Sequence, residues 1–180
     1  MEKAGAKPLD VLLREGVLGP LALEGTRSDV TAAIGEPVLH AFDAERGRYE
    51  ESTFWDPSWT LAHGAIMTST VADILTSAAA IGEGTLLSPE SHALQLAPST
   101  AKLAPWNDRM WYGFGVFVID GWVVQNPSFA GYAATMAYLP EKKLGIVVST
   151  TMQPEASQEG NLSTDLLKEI AAALAPDAPL

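Results

Sequence analysis

The chain has 180 residues, 47% of them hydrophobic, which suits one hydrophobic core of ordinary size and is too little for two independent domains. Eleven basic residues against twenty-two acidic ones give a net charge of −11, which disfavours nucleic acid and anionic membrane surfaces as partners. Cysteine is absent, which excludes disulfides, thiolate metal sites and cysteine nucleophiles.

No segment approaches the roughly 18–20 consecutive apolar residues of a membrane span. The N-terminal stretch carries Lys3 and Lys7 but lacks the apolar core of a signal peptide. We therefore expect a chain without a membrane span or an export signal, although these residues do not fix its compartment.

Two helices are predicted in the first half of the chain. One covers Pro8–Leu18, where apolar residues recur at helical spacing and glycines end the pattern. The other covers Thr68–Ile81, where Thr70 and Asp73 have the spacing of a capping box. The segment Arg27–Leu61 between them has weak periodicity and several Pro and Gly residues, which predicts a long ordered loop.

Two further helices are predicted later in the chain. A short one begins with Ser88 as its N-cap and Pro89 in its first position. The other follows a polar linker, Gln153–Gly160, and is amphipathic. Its apolar face is predicted to hold Leu162, Leu166, Leu167, Ile170 and Leu174.

Between these helices, Tyr112–Thr151 predicts four short strands joined by tight turns, with a bend at Gly131–Tyr132 and a hairpin at Pro140–Lys143. The run Leu144–Val148 is almost continuously apolar, which is typical of a strand buried on both faces at the centre of a sheet. A meander that ends at Leu144–Thr151 nevertheless leaves this strand at an edge. The sequence therefore predicts a strand that lacks a neighbour.

The predicted fold class is α+β, an antiparallel β-sheet meander packed by a C-terminal helix and preceded by helices and long loops. We expect residues 1–180 to form a single partial domain. Its parts are helices and loops over 1–109, the antiparallel sheet over 110–151, and a linker with the C-terminal helix over 152–180.

Five segments of the chain resemble, in the same order, segments of the serine β-lactamase, penicillin-binding protein and D-Ala-D-Ala carboxypeptidase superfamily. The sheet region begins Tyr–Gly–x–Gly and has a Gly–Tyr strand that ends in Pro–Glu. Another segment places Ser–Thr and Asp after a glycine-containing turn. The segments are Lys7–Leu13, Gly19–Thr26, Ala62–Ile74, Leu86–Glu90 and Tyr112–Thr151.

This resemblance implies the C-terminal portion of a class C-like serine hydrolase of the carboxypeptidase or esterase type, with the β-lactamase/transpeptidase-like fold. Substrates of that superfamily are amides and esters, such as peptidoglycan stem peptides, β-lactams and small esters. Its members are often located in the bacterial cell envelope or secreted. Their N-terminal strands pair with the last strand of the sheet, which accounts for the missing neighbour.

The superfamily's chemistry needs a Ser–x–x–Lys at a helix start, a Tyr–x–Asn or Ser–x–Asn, and a Lys/His–Thr/Ser–Gly triplet on a strand. In relatives, the first two elements precede the position that matches Met1, and no Tyr–x–Asn or Ser–x–Asn occurs here. One Ser–x–x–Lys, Ser99–Lys102, lies between Pro98 and Pro105 without a helical pattern, so we assign no catalytic residue.

The triplet position falls at Gln125–Asn126–Pro127 or one residue later, so its cationic or imidazole side chain is missing. Its proline also removes a backbone donor. We predict that Gln125, Asn126 and Ser128 line a substrate pocket, with a kinked strand end as the alternative. Trp55 and Trp59 are predicted to line a substrate-binding cleft, because aromatic residues in long loops often do so; packing in the core or in the loop is the alternative.

His40, His63 and His92 have no metal-ligand spacing, so no metal site and no cofactor are expected. The leading functional hypothesis is the serine hydrolase portion described above, inactive alone because it lacks the nucleophile. A small-molecule or peptide amide or ester would be its substrate once an N-terminal half completes it. The alternatives are a non-catalytic ligand-binding module and a module that self-associates, as a homodimer, through the edge strand Leu144–Thr151.

Overall fold

The computed structural model of the chain describes residues 1–28, 31–56, 67–154 and 161–180. Four of its strands form two small antiparallel ladders in the first half of the chain. One ladder pairs β1 (Arg27–Ser28) with β4 (Met67–Thr68), and the other pairs β2 (Phe42–Asp43) with β3 (Glu50–Glu51). The region predicted as helices and loops therefore also contains short strands.

The main sheet is antiparallel and has six strands in the order β10-β9-β7-β6-β5, with β8 pairing β9. This architecture confirms the predicted α+β class and the meander. The strands are β5 (Met110–Tyr112), β6 (Phe117–Ile119), β7 (Trp122–Gln125), β8 (Ser128–Phe129), β9 (Tyr132–Leu139) and β10 (Leu144–Thr151).

The sheet has more strands than the four predicted because two of the predicted strands are interrupted. The Gly113 N–H donates to the Val116 carbonyl at 2.8 Å, so the Tyr–Gly–x–Gly motif forms a turn between β5 and β6. A second interruption at Asn126–Pro127 separates β7 from β8. Proline cannot donate to a neighbouring strand, which explains why regular pairing of β7 ends there.

Two-residue turns set the register of the hairpins. Asp120–Gly121 joins β6 to β7, and Ala130–Gly131 joins β8 to β9 at the predicted bend. Both residues of each turn have positive φ, between 47° and 88°, which is the backbone geometry that matches the right-handed twist of paired strands. The predicted Pro140–Lys143 hairpin is a single 3₁₀ turn, Pro140–Lys142, closed by Lys143.

Five helices accompany the sheet in the described part of the chain. They are α1 (Glu2–Gly5), α2 (Leu9–Leu13), α3 (Val71–Glu83), α4 (Pro89–Leu96) and α5 (Leu162–Leu174). The predicted helix over Pro8–Leu18 is confirmed only in part, because α2 passes into a π-helical turn at Arg14–Leu18.

The helix ends follow the predicted capping chemistry. The Thr70 side chain accepts from the Asp73 N–H and starts α3. Ser88 caps α4 by accepting from the Ser91 N–H, and Pro89 occupies its first turn as expected. Both N-caps are thereby confirmed.

Helices α3 and α5 cover opposite faces of the sheet at its β9–β10 side. Ile146 and Val148 pack with Leu167 and Ala171 of α5 in the main core cluster. Gly145, which points to the other face because side chains alternate along a strand, lies against Leu75 of α3. The apolar β10 is therefore covered on both faces, as its sequence predicts.

Strand β10 lies at the edge of the sheet rather than at its centre. Within the described ranges it pairs only with β9, from Leu144 opposite Leu139 to Thr151 opposite Tyr132. The opposite edge, β5, is closed differently: Thr100 accepts from the Tyr112 N–H and donates to the Tyr112 carbonyl. The predicted unpaired edge is thus present at β10.

Helix α5 buries only part of the predicted face: Leu167 is fully buried and Ile170 packs against the core cluster. Its buried residues are Ser163, Leu167 and Ala171, whereas Leu162, Leu166 and Leu174 are 46%, 45% and 58% exposed. Small side chains allow close approach of the helix to the sheet, and Ser163 is held by hydrogen bonds. Packing and polar pairing, rather than the most apolar stripe, set the rotation of this helix.

Candidate functional site

The end of β7 carries the position predicted as the triplet, and Gln125 is fixed there by its own amide. Its Nε2 donates to the Gly115 carbonyl at 2.8 Å and lies 3.5 Å from the Tyr112 hydroxyl. Its Oε1 accepts from the Asn126 N–H at 3.1 Å. Gln125 thus joins the strand end to the turn between β5 and β6, and its neutral amide supplies no cation for a substrate carboxylate.

Asn126 lies half-buried and faces the start of α5. Its Nδ2 is 3.4 Å from Thr164 Oγ1, and its carbonyl accepts from Asn161 Nδ2 at 3.1 Å. The same Asn161 amide donates to the Pro127 carbonyl at 3.3 Å and the Ala134 carbonyl at 3.4 Å. One side chain therefore holds the interrupted strand in place.

A buried polar cluster continues from Asn161 into the sheet. Asn161 caps α5 by accepting from the Ser163 N–H, and the Ser163 hydroxyl also donates to it. Thr135 Oγ1 lies 2.7 Å from Ser163 Oγ and 2.9 Å from Thr164 Oγ1. Sequence reasoning missed these residues, although an Asn directly before an apolar helical pattern is an N-cap signal.

Ser128 is the exposed member of the predicted site. It opens β8 opposite Ala133, and the preceding Pro127 carbonyl accepts from the Ala134 N–H at 3.0 Å. The strand end therefore presents one exposed hydroxyl beside two amide side chains that already have partners within the protein.

The β2–β3 hairpin, which leads to Trp55, packs against the turn that follows Ser128. Ser52 Oγ donates to the Ala130 carbonyl at 2.7 Å, and a Cβ at Gly131 would lie 2.1 Å from the Phe42 carbonyl. Trp55 itself lies under the Arg46 guanidinium at 4.0 Å. The described contacts bring this hairpin to the Ala130–Gly131 turn but do not join Trp55 to Gln125. Trp59 lies outside the described residues.

His40 and His92, the histidines within the described ranges, have separate partners. His40 Nδ1 lies 2.6 Å from Glu51 Oε1, and this hydrogen bond raises the pKa of His40 and lowers the pKa of Glu51. His92 Nε2 lies 3.0 Å from the Ile81 carbonyl and links α4 to α3, whereas His63 is outside the described ranges. Over those ranges, no three His, Asp or Glu side chains group to hold a metal ion. No helix among the described residues is long and apolar enough to cross a bilayer.

A family model described as Beta-lactamase matches residues 1–168. The chain belongs to the beta-lactamase family. No curated protein matches it. Solved structures with the same fold include a D-stereospecific amidohydrolase from Streptomyces sp., at 18% identity and a TM-score of 0.77, with 97% of this chain and 51% of that one covered.

A penicillin-binding protein and a penicillin-binding protein homologue share the fold of this beta-lactamase family chain. One is from Bacillus halodurans, at 17% identity and a TM-score of 0.73, with 96% of this chain and 51% of that one covered. The other is the octameric penicillin-binding protein homologue from Pyrococcus abyssi, at 18% identity and a TM-score of 0.73. That alignment covers 99% of this chain and 41% of the homologue. The chain thus spans about half the length, or less, of these structures.

Two of the beta-lactamase family segments meet at the start of α3. Thr26 Oγ1, at the end of the segment Gly19–Thr26, donates to Asp73 Oδ2 at 2.7 Å and lies 2.7 Å from Ser69 Oγ. Ser69 and Asp73 of the segment Ala62–Ile74 therefore make hydrogen-bonding contacts with Thr26 of the segment Gly19–Thr26.

The Ser–x–x–Lys match lies in a turn rather than at a helix start. Ser99 and Lys102 are both exposed, and the Thr100 side chain between them bonds to Tyr112 of β5. A family nucleophile needs its lysine one helical turn away on the same face. The turn at Ser99–Lys102 does not have that helical frame.

Proposed function

We propose that residues 1–180 are the sheet-bearing part of a β-lactamase-related serine hydrolase of the carboxypeptidase or esterase type. It would act by acyl transfer on amide or ester substrates, with the Ser–x–x–Lys and Tyr–x–Asn elements supplied by sequence outside this range. The family supports the reaction class, and the amidohydrolase neighbour supports amides as substrates. On this proposal the chain is a single partial domain.

The unpaired edge of β10 is the observation that carries the proposal. Its residues Ile146 and Val148 are buried, and helices cover both faces of the strand, yet its outer backbone edge has no strand beside it in the described part of the chain. Exposed edges of this length are normally shortened, charged or covered. A strand from the segment that carries the nucleophile would cover this one.

At the site itself, we propose that the end of β7 borders the bound substrate. Ser128 is exposed and offers a hydroxyl, while Gln125 and Asn126 offer neutral amides. Without a Lys or His at this position, a substrate carboxylate would be held only by neutral hydrogen bonds, which are roughly half as strong as charge-assisted ones. This favours substrates whose recognition does not depend on a free carboxylate, such as neutral amides and esters.

The first test is hydrolysis by residues 1–180 alone. We expect no turnover of a chromogenic β-lactam or a nitrophenyl ester above a buffer blank, because nucleophile and base must share one site. Ser99→Ala serves as the control. Turnover by the wild-type chain that disappears in this variant would assign the nucleophile to Ser99 and overturn the proposal.

The second test uses the intact gene product and the coding sequence in frame before Met1. We expect that sequence to encode Ser–x–x–Lys followed by Tyr–x–Asn. After reaction with a fluorescent β-lactam, peptide mapping should place the acyl group on a serine outside residues 1–180. An absent motif, or an acyl group on Ser99, would count against the proposal.

A non-catalytic ligand-binding module is the second candidate. The observation that favours it is that the triplet position holds the neutral amides Gln125 and Asn126, already bonded to Gly115 and Thr164, which supply neither a cation nor a proton-transfer group. On this alternative the intact gene product binds an amide such as D-phenylalanine amide but does not hydrolyse it. Measured hydrolysis by the intact product would exclude it.

A further inference from the structure

We propose that Asn161 is a positioning residue for the candidate site: it holds the Pro127–Ser128 peptide so that the N–H of this peptide is directed towards the substrate. The inference rests on the proposed function, because it says which residue outside the strand end aligns that site for the reaction. It gives a role in the reaction to a residue that the sequence patterns did not single out.

The orientation of the Asn161 amide is fixed on both of its sides. Its Oδ1 caps α5 by accepting from the Ser163 N–H at 3.1 Å and from the Ser163 hydroxyl. Its Nδ2 faces three carbonyls, those of Asn126, Pro127 and Ala134, at 3.1, 3.3 and 3.4 Å. The reverse orientation would direct Oδ1 at these carbonyls and leave the Ser163 N–H without its acceptor.

The Pro127 carbonyl is held towards β9 by two donors. The Ala134 N–H donates to it at 3.0 Å, and Asn161 Nδ2 donates to it at 3.3 Å. The peptide between Pro127 and Ser128 is trans. In a trans peptide the C=O and the N–H lie in one plane and point in opposite directions. The Ser128 N–H is therefore directed away from β9.

The pairing of β8 with β9 leads to the same direction. Along an antiparallel pair, residues that exchange backbone hydrogen bonds alternate with residues whose N–H points outward. Pro127 bonds to Ala134, so the next pair, Ser128 opposite Ala133, has outward N–H groups. Within the described ranges β8 pairs only with β9, and Ser128 is exposed. The Ser128 N–H thus lies on the open side of the strand.

The break between β7 and β8 explains why this peptide needs a support from outside the strand. Proline has no N–H, so the Asn126–Pro127 peptide offers only its carbonyl for hydrogen bonding, and that carbonyl accepts from Asn161. Ser163, which fixes Asn161, has its hydroxyl 2.7 Å from the buried Thr135 Oγ1 on β9. The support is thus anchored in the buried part of the sheet.

An outward N–H at this strand end suits the oxygen of a substrate carbonyl. When a serine oxygen from outside residues 1–180 bonds to the acyl carbon, the π electrons of the C=O bond move onto its oxygen, which becomes an oxyanion. Backbone N–H groups stabilise an oxyanion best when they are already aimed at it. Asn161 does not touch the substrate in this arrangement; it acts by aiming the Ser128 N–H.

Steady-state hydrolysis of a nitrophenyl ester by the intact gene product tests the inference with two variants. Asn161→Ser keeps a side chain that caps helices well but has no amide to donate. Asn161→Asp keeps the shape and the capping oxygen and replaces the donating nitrogen by an acceptor. We expect each variant to lower kcat about ten- to hundredfold and to leave KM within about twofold, because the lost alignment acts on the transition state.

Ser88→Ala is the matched control, because it removes the N-cap of a different helix, α4. It should lower stability without changing kcat. Circular dichroism melts compare the stability of the variants, and if Asn161→Ser unfolds, Asn161→Asp decides. A kcat within about twofold of the wild type in a folded Asn161 variant, or an equal loss of kcat in Ser88→Ala, would overturn the inference.

The NMR signal of the Ser128 N–H separates this inference from the proposed function. Isotope labelling of proline carbonyl carbons and serine nitrogens selects Pro–Ser peptides, of which residues 1–180 contain three, and the signal lost in Ser128→Ala belongs to Ser128. Benzylacetone, a ketone without a leaving group, should shift this signal in the wild type but not in the Asn161 variants. A wild type that hydrolyses nothing yet shows this difference would count against the hydrolase alone. No shift in the wild type, or the same shift in the variants, would count against the role of Asn161.

Discussion

Gly82 in α3 allows the helix to approach the sheet closely. A Cβ at this position would lie 2.2 Å from Cδ1 of Tyr138 on β9, a distance that real Cβ atoms essentially never show. Gly82→Ala should therefore destabilise the protein by about 1–3 kcal/mol, the usual cost of overpacking, despite the gain of up to about 1 kcal/mol in helix propensity. Urea unfolding followed by circular dichroism measures this difference.

Gly16 provides the matched control, because no atom lies within 4 Å of a Cβ placed there. Gly16→Ala should leave the free energy of unfolding unchanged or raise it slightly. If Gly82→Ala were as stable as Gly16→Ala, the tight contact between α3 and Tyr138 would be contradicted.

The contact between Tyr138 and Glu83 makes stability depend on pH in the alkaline range. The Tyr138 hydroxyl donates to Glu83 Oε1, and this hydrogen bond, with burial, raises the pKa of Tyr138 from 10.0 to about 12. Because the folded-state pKa is raised, the stabilisation is fully present below pH 10.0 and is lost as the pH rises through about 12.

We therefore expect the difference in unfolding free energy between wild type and Tyr138→Phe to shrink between pH 10 and pH 12. Absorbance at 295 nm follows tyrosine ionisation over the same range. Glu83→Gln should lower the pKa of Tyr138 towards its ordinary value. A Glu83→Gln titration identical to that of the wild type would refute the assignment.

Asn126 and Ser128 test the proposed pocket at the end of β7. Ser128 is exposed, and the hydrogen bond of the Asn126 side chain is a long one to Thr164 Oγ1, so replacing either residue by Ala should cost less than about 1 kcal/mol of stability. Binding of D-phenylalanine amide, measured by calorimetry, should weaken by about three- to tenfold. Unchanged affinity, or unfolding of the variants, would favour the kinked strand end as a structural feature only.

Strands β10 and β5 form the two edges of the main sheet, and they differ in length and in how their backbone groups are covered. The β5 edge has three residues and is closed by Thr100, whereas β10 extends over eight residues and, within the described ranges, has no strand on its outer side. A long, apolar and uncharged edge promotes pairing with another chain.

We predict that isolated residues 1–180 are dimeric, aggregated or only marginally folded, and that Val147→Lys shifts the chain towards monomer. A lysine on an edge strand opposes pairing, and we expect at least about a tenfold increase in the dissociation constant. Val147→Thr is the matched control, since it keeps the β-branched shape without charge. Light scattering that finds a monomer with a cooperative melt for the wild type would contradict this prediction.

For the molecule as a whole, sequence patterns predicted the features that depend on local chemistry. The capping residues Thr70 and Ser88 begin α3 and α4 as expected, and the bend at Gly131 and the strand Leu144–Thr151 are confirmed. Each of these depends on side chains within a few residues along the chain, which is the information that a sequence pattern contains.

Features that depend on contacts distant in sequence were not predictable in the same way. The buried face of α5 depends on Thr135, 28 residues before Ser163, and the π-helical turn at Arg14–Leu18 has no pattern of its own. The hydrogen bond of Gln125 to the Gly115 carbonyl depends on the turn between β5 and β6, which no pattern around Gln125 predicts. The proposed site therefore combines a predictable strand end with surroundings that only the fold supplies.

The N-cap of α5 also bears on how this protein can be produced. Asn161–Leu162–Ser163 is an acceptor sequence for N-linked glycosylation, yet the Asn161 amide donates to carbonyls of Asn126, Pro127 and Ala134. A eukaryotic secretory host attaches glycans to nascent chains, before this amide is enclosed. A glycan on Asn161 Nδ2 would clash with the carbonyls to which this nitrogen donates. Protein from such a host should therefore fold poorly because of the glycan, not because the unmodified chain is unstable.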